Sequence, residues 1–152
     1  MHVVLYQPEI PQNTGNIART CAVTGTALHL IRPLGFSLEE KHVKRAGLDY
    51  WQHLDLKVHD SLEELWSLYP DNPFYYISTR GKRIYTQVFF GPGDFIVFGR
   101  ETAGLPPEVL AEKGEAVLRI PMGEGLRSLN LANSVALVLY EALRQQGFPS
   151  LR

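Results

Sequence analysis

Short runs of β-branched and aromatic residues at 3–6, 27–31, 56–59, 74–78, 95–98 and 116–120 recur along this chain, each ending in a loop rich in glycine, proline or polar residues. Such runs suit strands buried on both faces of a parallel sheet. Helical patterns lie between several of them. Asn13-Thr14 offers the cap of a helix running through Ile17, Cys21 and Ala22 until Gly25 stops it. Ser37-Leu38-Glu39-Glu40 and Ser61-Leu62-Glu63-Glu64 have the spacing of serine followed three residues later by glutamate, so each opens a helix. Beyond Pro121, with Ser128 or Asn130 as its cap, Leu131, Val135, Leu137, Val138 and Leu143 form the apolar stripe of a last helix. Repeated strand–helix alternation predicts an α/β fold, a mainly parallel sheet with helices on both faces.

A chain of 152 residues fits one domain, 1–152, and at this length buries roughly 70% of its unfolded surface. Cys21 is the only cysteine, which excludes an intrachain disulfide, argues against a cysteine-built metal site and fits a reducing compartment. The sequence opens on His2-Val3-Val4-Leu5-Tyr6 without the pattern of a signal peptide, and no later run is long enough to cross a bilayer, so a cytoplasmic location is expected. His2, His29, His42, His53 and His59 lack close ligand spacing and none is assigned to a metal. A formal net charge of −1 argues against a generally basic nucleic-acid-coating surface. Any such contact is local. Lys41, Lys44 and Arg45 form one candidate cluster and Arg80, Lys82 and Arg83 another, and each read alone is equally an ordinary solvated face.

Ligands of open parallel sheets gather beyond the carboxyl ends of the strands. That rule selects the loops after Ile77, Phe98 and Ile120: Ser78-Thr79-Arg80-Gly81, Gly99-Arg100-Glu101-Thr102-Ala103-Gly104, and Met122 through Asn130. Gly123 and Gly125 free the last of these to turn, and the first helical turn beyond it offers unpaired N–H groups; a tight strand-to-helix connection reads the same way. No phosphate-binding P-loop and no G-x-G-x-x-G after a strand is present. A further polar set lies near the start, where Asn13, Asn16 and Arg19 share helical spacing after a loop stiffened by Pro8 and Pro11.

Pro8-Glu9-Ile10-Pro11-Gln12-Asn13-Thr14-Gly15-Asn16-Ile17 with Arg19, Pro33-Leu34-Gly35-Phe36, Gly47-Leu48-Asp49-Tyr50, Phe98-Gly99 with Glu101-Thr102 and Gly104, Arg119-Ile120-Pro121-Met122, Arg127-Ser128 with Asn130, and Asn133-Ser134-Val135-Ala136 with Tyr140-Glu141-Ala142 occur in this order over nearly the whole chain. The set resembles the SPOUT superfamily of RNA methyltransferases, most closely its compact YibK-like branch of tRNA wobble-position ribose 2′-O-methyltransferases. The resemblance implies an α/β fold with a C-terminal deep trefoil knot, a homodimer, and an anticodon stem-loop of tRNA as substrate, recognised by the catalytic dimer without a separate RNA-binding extension. It implies S-adenosylmethionine as cofactor, held at Ile77, Gly99, Ile120, Met122, Ser128 and Leu129. It makes Arg19 the principal catalytic residue, with Asn16 and Asn130 beside the reaction and Glu101 either a base or a residue that holds its loop. Relatives in this branch often carry a basic residue where this chain has Ala103, which implies rearranged RNA contacts. Methylation of another tRNA or rRNA nucleotide, or cofactor-dependent RNA binding without catalysis, fits the same motifs.

Overall fold

The computed structural model of this chain describes residues 1–39 and 50–152. The helix expected from Ser37, with Lys41, His42, Lys44, Arg45 and the Gly47-Leu48-Asp49 part of the motif, lies outside the described residues.

The strands are β1 (His2–Tyr6), β2 (Ala27–Ile31), β3 (Leu56–His59), β4 (Phe74–Ile77), β5 (Arg83–Ile84), β6 (Phe95–Phe98) and β7 (Val117–Arg119). They form one seven-stranded sheet in the order β3-β2-β1-β6-β4-β7-β5. Every pairing is parallel. The central strands are apolar on both faces because each face is covered. Helices α1 (Pro11–Thr24) and α4 (Leu131–Gln145) lay Ile17, Ala18, Cys21, Val135, Val138 and Leu139 against Val3, Leu5, Ile96 and Phe98. On the other face, α2 (Leu62–Leu68) and α3 (Pro107–Lys113) cover Val4, Phe95, Val97 and Val117 with Leu62, Leu65, Val109 and Leu110. Burial of a large aliphatic side chain contributes about 1.5–3 kcal/mol.

Local signals set most boundaries. Ser61 caps α2 by accepting from Glu64 N at 3.1 Å, while the Glu64 carboxylate accepts from the Asp60 N–H just outside the helix. Asn130 caps α4 by accepting from Asn133 N at 3.2 Å. Three expectations are corrected. Pro11, not Asn13, opens α1, since proline is preorganised for the first helical position and needs no N–H there; this moves Asn13 into the helix and leaves its side chain for other contacts. Leu137 is not part of the buried stripe of α4 but is 45% exposed on its outer side. The last full strand is shorter than 116–120, because a 3₁₀ turn over Gly114–Ala116 precedes it and Ile120 has already left the ladder.

Register positions the site. Leu5 is level with Phe98, Phe98 with Ile77, and Ile77 with Leu118, so four neighbouring strands end abreast and their loops emerge side by side. Chain order reverses between β1 and β6, since β2 and β3 extend the sheet from β1 in one direction and the later strands fill the other. A crevice at that reversal is the usual ligand position of open parallel sheets. Ile77 and Arg83 also both pair with Leu118, so residues 78–82 form an arch straddling the end of β7. The arch is tight: Ser78 N donates to Leu118 O at 2.9 Å, and a Cβ added at Gly81 would lie 2.5 Å from the Leu118 carbonyl carbon.

Candidate functional site

A cavity of about 750 Å³ opens at this end of the sheet, walled by the segments after β4, β6 and β7 and floored by the first turns of α1 and α4. Ile77, Gly99, Ile120, Met122, Ser128, Leu129 and Asn130 all line it. Asn13 lines it too, whereas Asn16 and Arg19 do not.

Gly99 explains how the walls come so close. Arg100 and Gly104 exchange backbone hydrogen bonds of 3.2 and 3.0 Å, folding the loop back on itself, and a Cβ at Gly99 would lie 2.3 Å from the Gly104 carbonyl carbon. No side chain fits there. The loop is then clasped to the segment after β1. Glu101 accepts from Glu9 N at 2.9 Å and Ile10 N at 3.0 Å, and Glu9 accepts from Thr102 N and its hydroxyl at 3.2 and 2.9 Å. Both oxygens of Glu101 are thus engaged by main-chain donors, which is the loop-holding arrangement and leaves it poorly placed as a base. The clasp continues through Asn13, whose Nδ2 donates to Glu101 at 3.4 Å and whose Oδ1 accepts from Asn130 Nδ2 at 3.0 Å. Asn130 therefore caps α4 with its oxygen and ties α4 to α1 with its nitrogen.

Charge is distributed unevenly around this cavity. Arg80, Arg100 and Arg127 line it and form no ion pair among the described residues, whereas Arg32, Lys57, Lys113 and Arg144 elsewhere each meet a carboxylate within 2.9 Å. The Arg100 guanidinium lies 5.7 Å from the Tyr6 ring centroid, with Nε buried and unpartnered. Three guanidinium groups without a carboxylate partner among the described residues thus face one opening of a chain whose net charge is −1. Arg19 points elsewhere, from the exposed side of α1 onto Tyr50, with Nη2 donating to the phenol oxygen at 3.2 Å.

Sequence reasoning selected the three loops but missed the Glu9–Thr102 and Glu101–Glu9 reciprocity, and it missed a histidine array on another flank. His2 Nδ1 lies 3.0 Å from His29 Nε2, and His29 Nδ1 lies 2.9 Å from His59 Nε2, linking β1, β2 and β3. Burial pushes His29 down to about 3 and His2 down to about 4, and lowers His59 as well, so the rings are neutral near pH 7. None of the three lines the cavity.

The cavity fits an adenosine-bearing cofactor with an amino-acid tail: it is large enough, it is walled by backbone held in place at Gly99, and its polar donors are neutral main chain and asparagine beside unpaired arginine.

Comparison with known proteins agrees with that geometry. The SpoU rRNA Methylase family matches residues 1–140. A protein of Geobacillus stearothermophilus provisionally named tRNA (cytidine(34)-2′-O)-methyltransferase is 56% identical over 99% of this chain and 98% of its own length. A solved structure described as giving insight into 2′-OH methylation of C/U34 on tRNA superposes with a TM-score of 0.91 at 52% identity, covering 96% of this chain and 95% of the other. An AdoMet-bound rRNA methyltransferase from Sinorhizobium meliloti superposes at 0.81 with 25% identity, over 94% of this chain and 55% of that one.

Proposed function

We propose, on the premise that this chain belongs to the SpoU rRNA methylase family, that it is a tRNA methyltransferase acting on the ribose 2′-hydroxyl of the wobble nucleotide, cytidine or uridine 34. The carrying observation is the cavity itself, in which the segments after β4, β6 and β7 meet beside unpaired arginines. End-to-end likeness to relatives named for that reaction supports the choice of substrate.

Ile77, Gly99, Ile120, Met122, Ser128 and Leu129 hold S-adenosylmethionine, mainly through backbone groups. When bound, that cofactor supplies an electrophilic methyl group on a sulfonium. The chain's own residues then have two tasks: to align the ribose oxygen in line with that methyl, and to favour loss of its proton. Arg19 performs the second as a permanently charged guanidinium that orients the hydroxyl and stabilises negative charge developing on its oxygen. Asn16, three residues earlier on the same exposed side, and Asn130, at the cavity floor, complete the polar surround. Glu101 is occupied by main-chain donors, so the proton leaves to water or to a substrate phosphate.

The arch of residues 78–82 around the end of β7 supports reading the C-terminal segment as threaded, giving a single SPOUT domain over 1–152 with a deep trefoil knot. Val23 on α1 and Leu137 and Tyr140 on α4 are 46%, 45% and 44% exposed, an outward apolar surface that fits packing as a homodimer. In such a dimer the substrate site draws on both subunits, which accounts for an Arg19 that lies outside the cavity of its own chain. Arg80, Arg100 and Arg127 offer phosphate contacts to an anticodon stem-loop, whose unstacked nucleotides splay into a shallow site. A cytoplasmic location suits a tRNA substrate, and among the described residues no helix is long and apolar enough to cross a membrane.

The test is direct. Purified protein is incubated with labelled S-adenosylmethionine and tRNA from cells lacking its gene, and the modified nucleoside is identified and mapped. Label on the 2′-oxygen of nucleotide 34 is expected. Label on a base, or at another nucleotide, overturns the substrate assignment, and RNA binding without any S-adenosylhomocysteine overturns catalysis.

A further inference from the structure

Arg19 stands out among the arginines of this molecule for what holds it. The buried side of α1, carrying Ile17, Ala18 and Cys21, fixes the roll of the helix and turns Arg19 outward. An outward arginine normally samples many rotamers. This one is held twice by the same residue: its Cζ lies 4.7 Å from the Tyr50 ring centroid, and its Nη2 donates to the Tyr50 hydroxyl at 3.2 Å. Tyr50 is itself anchored. Its carbonyl accepts from His53 N at 2.9 Å to open the 3₁₀ turn Trp51–His53, and Trp51 and Leu54 pack against the α1–α4 core.

The chemistry of that partner is the informative part. Arg32 and Arg144 are fixed by carboxylates, which offset their charge, whereas Arg19 makes no ion pair among the described residues. An aromatic face attracts a guanidinium through its quadrupole, and a phenol oxygen accepts one N–H. Neither cancels the positive charge, and the remaining N–H groups stay free for another acceptor. A group that must stabilise an oxygen gaining negative charge needs this combination: a fixed direction with its charge undiminished.

We infer that Tyr50 is a positioning residue that pre-aims the Arg19 guanidinium for the ribose oxygen while leaving its charge uncancelled. The inference rests on Arg19 being the residue that meets that oxygen.

The experiment compares Tyr50→Leu, Tyr50→Phe and Arg19→Lys with wild type in steady-state methylation of unmodified tRNA, with cofactor affinity measured separately. Tyr50→Leu is expected to lower kcat about 30-fold, the scale of a misaimed group, while KM for tRNA and Kd for S-adenosylmethionine stay within about twofold. Tyr50→Phe, which keeps the ring and loses the hydroxyl, is expected to lower kcat about threefold with an unchanged pH–rate profile. Adding Tyr50→Leu to Arg19→Lys is expected to cost little more than Arg19→Lys alone, because both act through one guanidinium. Wild-type kcat in Tyr50→Leu overturns the inference, as does a loss confined to KM. A titration limb lost in Tyr50→Phe overturns it too, by making the phenol a catalytic group. Where Tyr50→Leu loses its fold, Tyr50→Phe decides, and wild-type kcat there overturns the inference. Full activity in Arg19→Ala removes the catalytic reading of Arg19 and leaves the wobble assignment to its own mapping test.

Discussion

The cavity at the carboxyl ends of the strands and the histidine array across β1, β2 and β3 both gather polar side chains, but they use them oppositely. In the array each imidazole meets the next, at 3.0 and 2.9 Å, so the central ring has both nitrogens engaged within the protein. At the cavity Glu9, Glu101, Asn13 and Asn130 are likewise engaged within the protein, but the cations are not paired. Arg80, Arg100 and Arg127 have no carboxylate partner among the described residues, and Arg19, outside the cavity on the exposed side of α1, has only a tyrosine. The contrast teaches that clustering alone does not mark a site. Hydrogen-bonding and charge capacity left over after the fold has satisfied itself does.

The largest expected effect comes from removing leftover capacity where the fold does not need it. Arg19→Ala is expected to lower methyl transfer by about a hundredfold to a thousandfold, the range in which lost stabilisation of a developing oxyanion falls. Affinity for S-adenosylmethionine, measured by calorimetry, is expected to stay within about twofold, and the melting temperature to move little. Retained turnover would take Arg19 out of the mechanism and the contrast with it.

An intermediate effect is expected from the groups that build the cavity and carry no spare capacity. Glu101→Ala leaves the Glu9 and Ile10 N–H groups without their acceptor, and hydrogen bonds to a charged group contribute about 1.5–3 kcal/mol each before water replaces them. Glu101 sits in a partly exposed clasp, so a net loss of about 2 kcal/mol in denaturant unfolding is expected. Cofactor affinity is expected to fall about tenfold as the loop after β6 loosens. An unchanged stability with a thousandfold lower kcat would instead make Glu101 a catalytic base, reversing the role its geometry gives it.

Much of this was legible in the chain, for identifiable reasons. β1, β2 and β6 read directly as apolar runs because they are covered on both faces. The loops after Ile77, Phe98 and Ile120 followed from the rule about strand ends. One strand and one α-helix of the described residues escaped that reading: β5 is two residues long, and α3, seven residues starting at Pro107, carries too short a stripe to register. The Glu101–Glu9 clasp joins residues 92 apart, and no local pattern announces it. His2, His29 and His59 likewise look scattered, since only the parallel register of three strands brings them into line. Asn13 was misread as a cap because its type suits one, yet Pro11 fixes the start of α1 and turns Asn13 toward Asn130.

The smallest effect should separate the two regions most cleanly. His29 and His2 are pushed down to about 3 and about 4 by burial, His29 next by the charges of His2 and His59 and His2 next by that of the Met1 amine, and both then by Lys57, while Asp55 opposes. An unfolded chain takes up protons on these rings as pH falls below 6.5, and the folded chain does not until well below that. Their contribution to stability is therefore complete above about pH 6.5 and is lost progressively as pH falls toward 3. His29→Gln keeps an acceptor and donors at the middle position but removes its titration. Thermal melts between pH 7 and pH 4.5 should then show a shallower acid decline than wild type, and parallel curves would show that the array does not govern the acid limb. Methyl transfer at pH 7.5 should stay within about twofold of wild type, because the three rings neither line the cavity nor bond to Arg19 or Tyr50. Arg19→Ala is expected to change chemistry without stability, and His29→Gln to change the pH dependence of stability without chemistry. A loss of both in either variant would mean that the two regions are coupled through β1, the strand that carries His2 at one end and feeds the Glu9 clasp at the other.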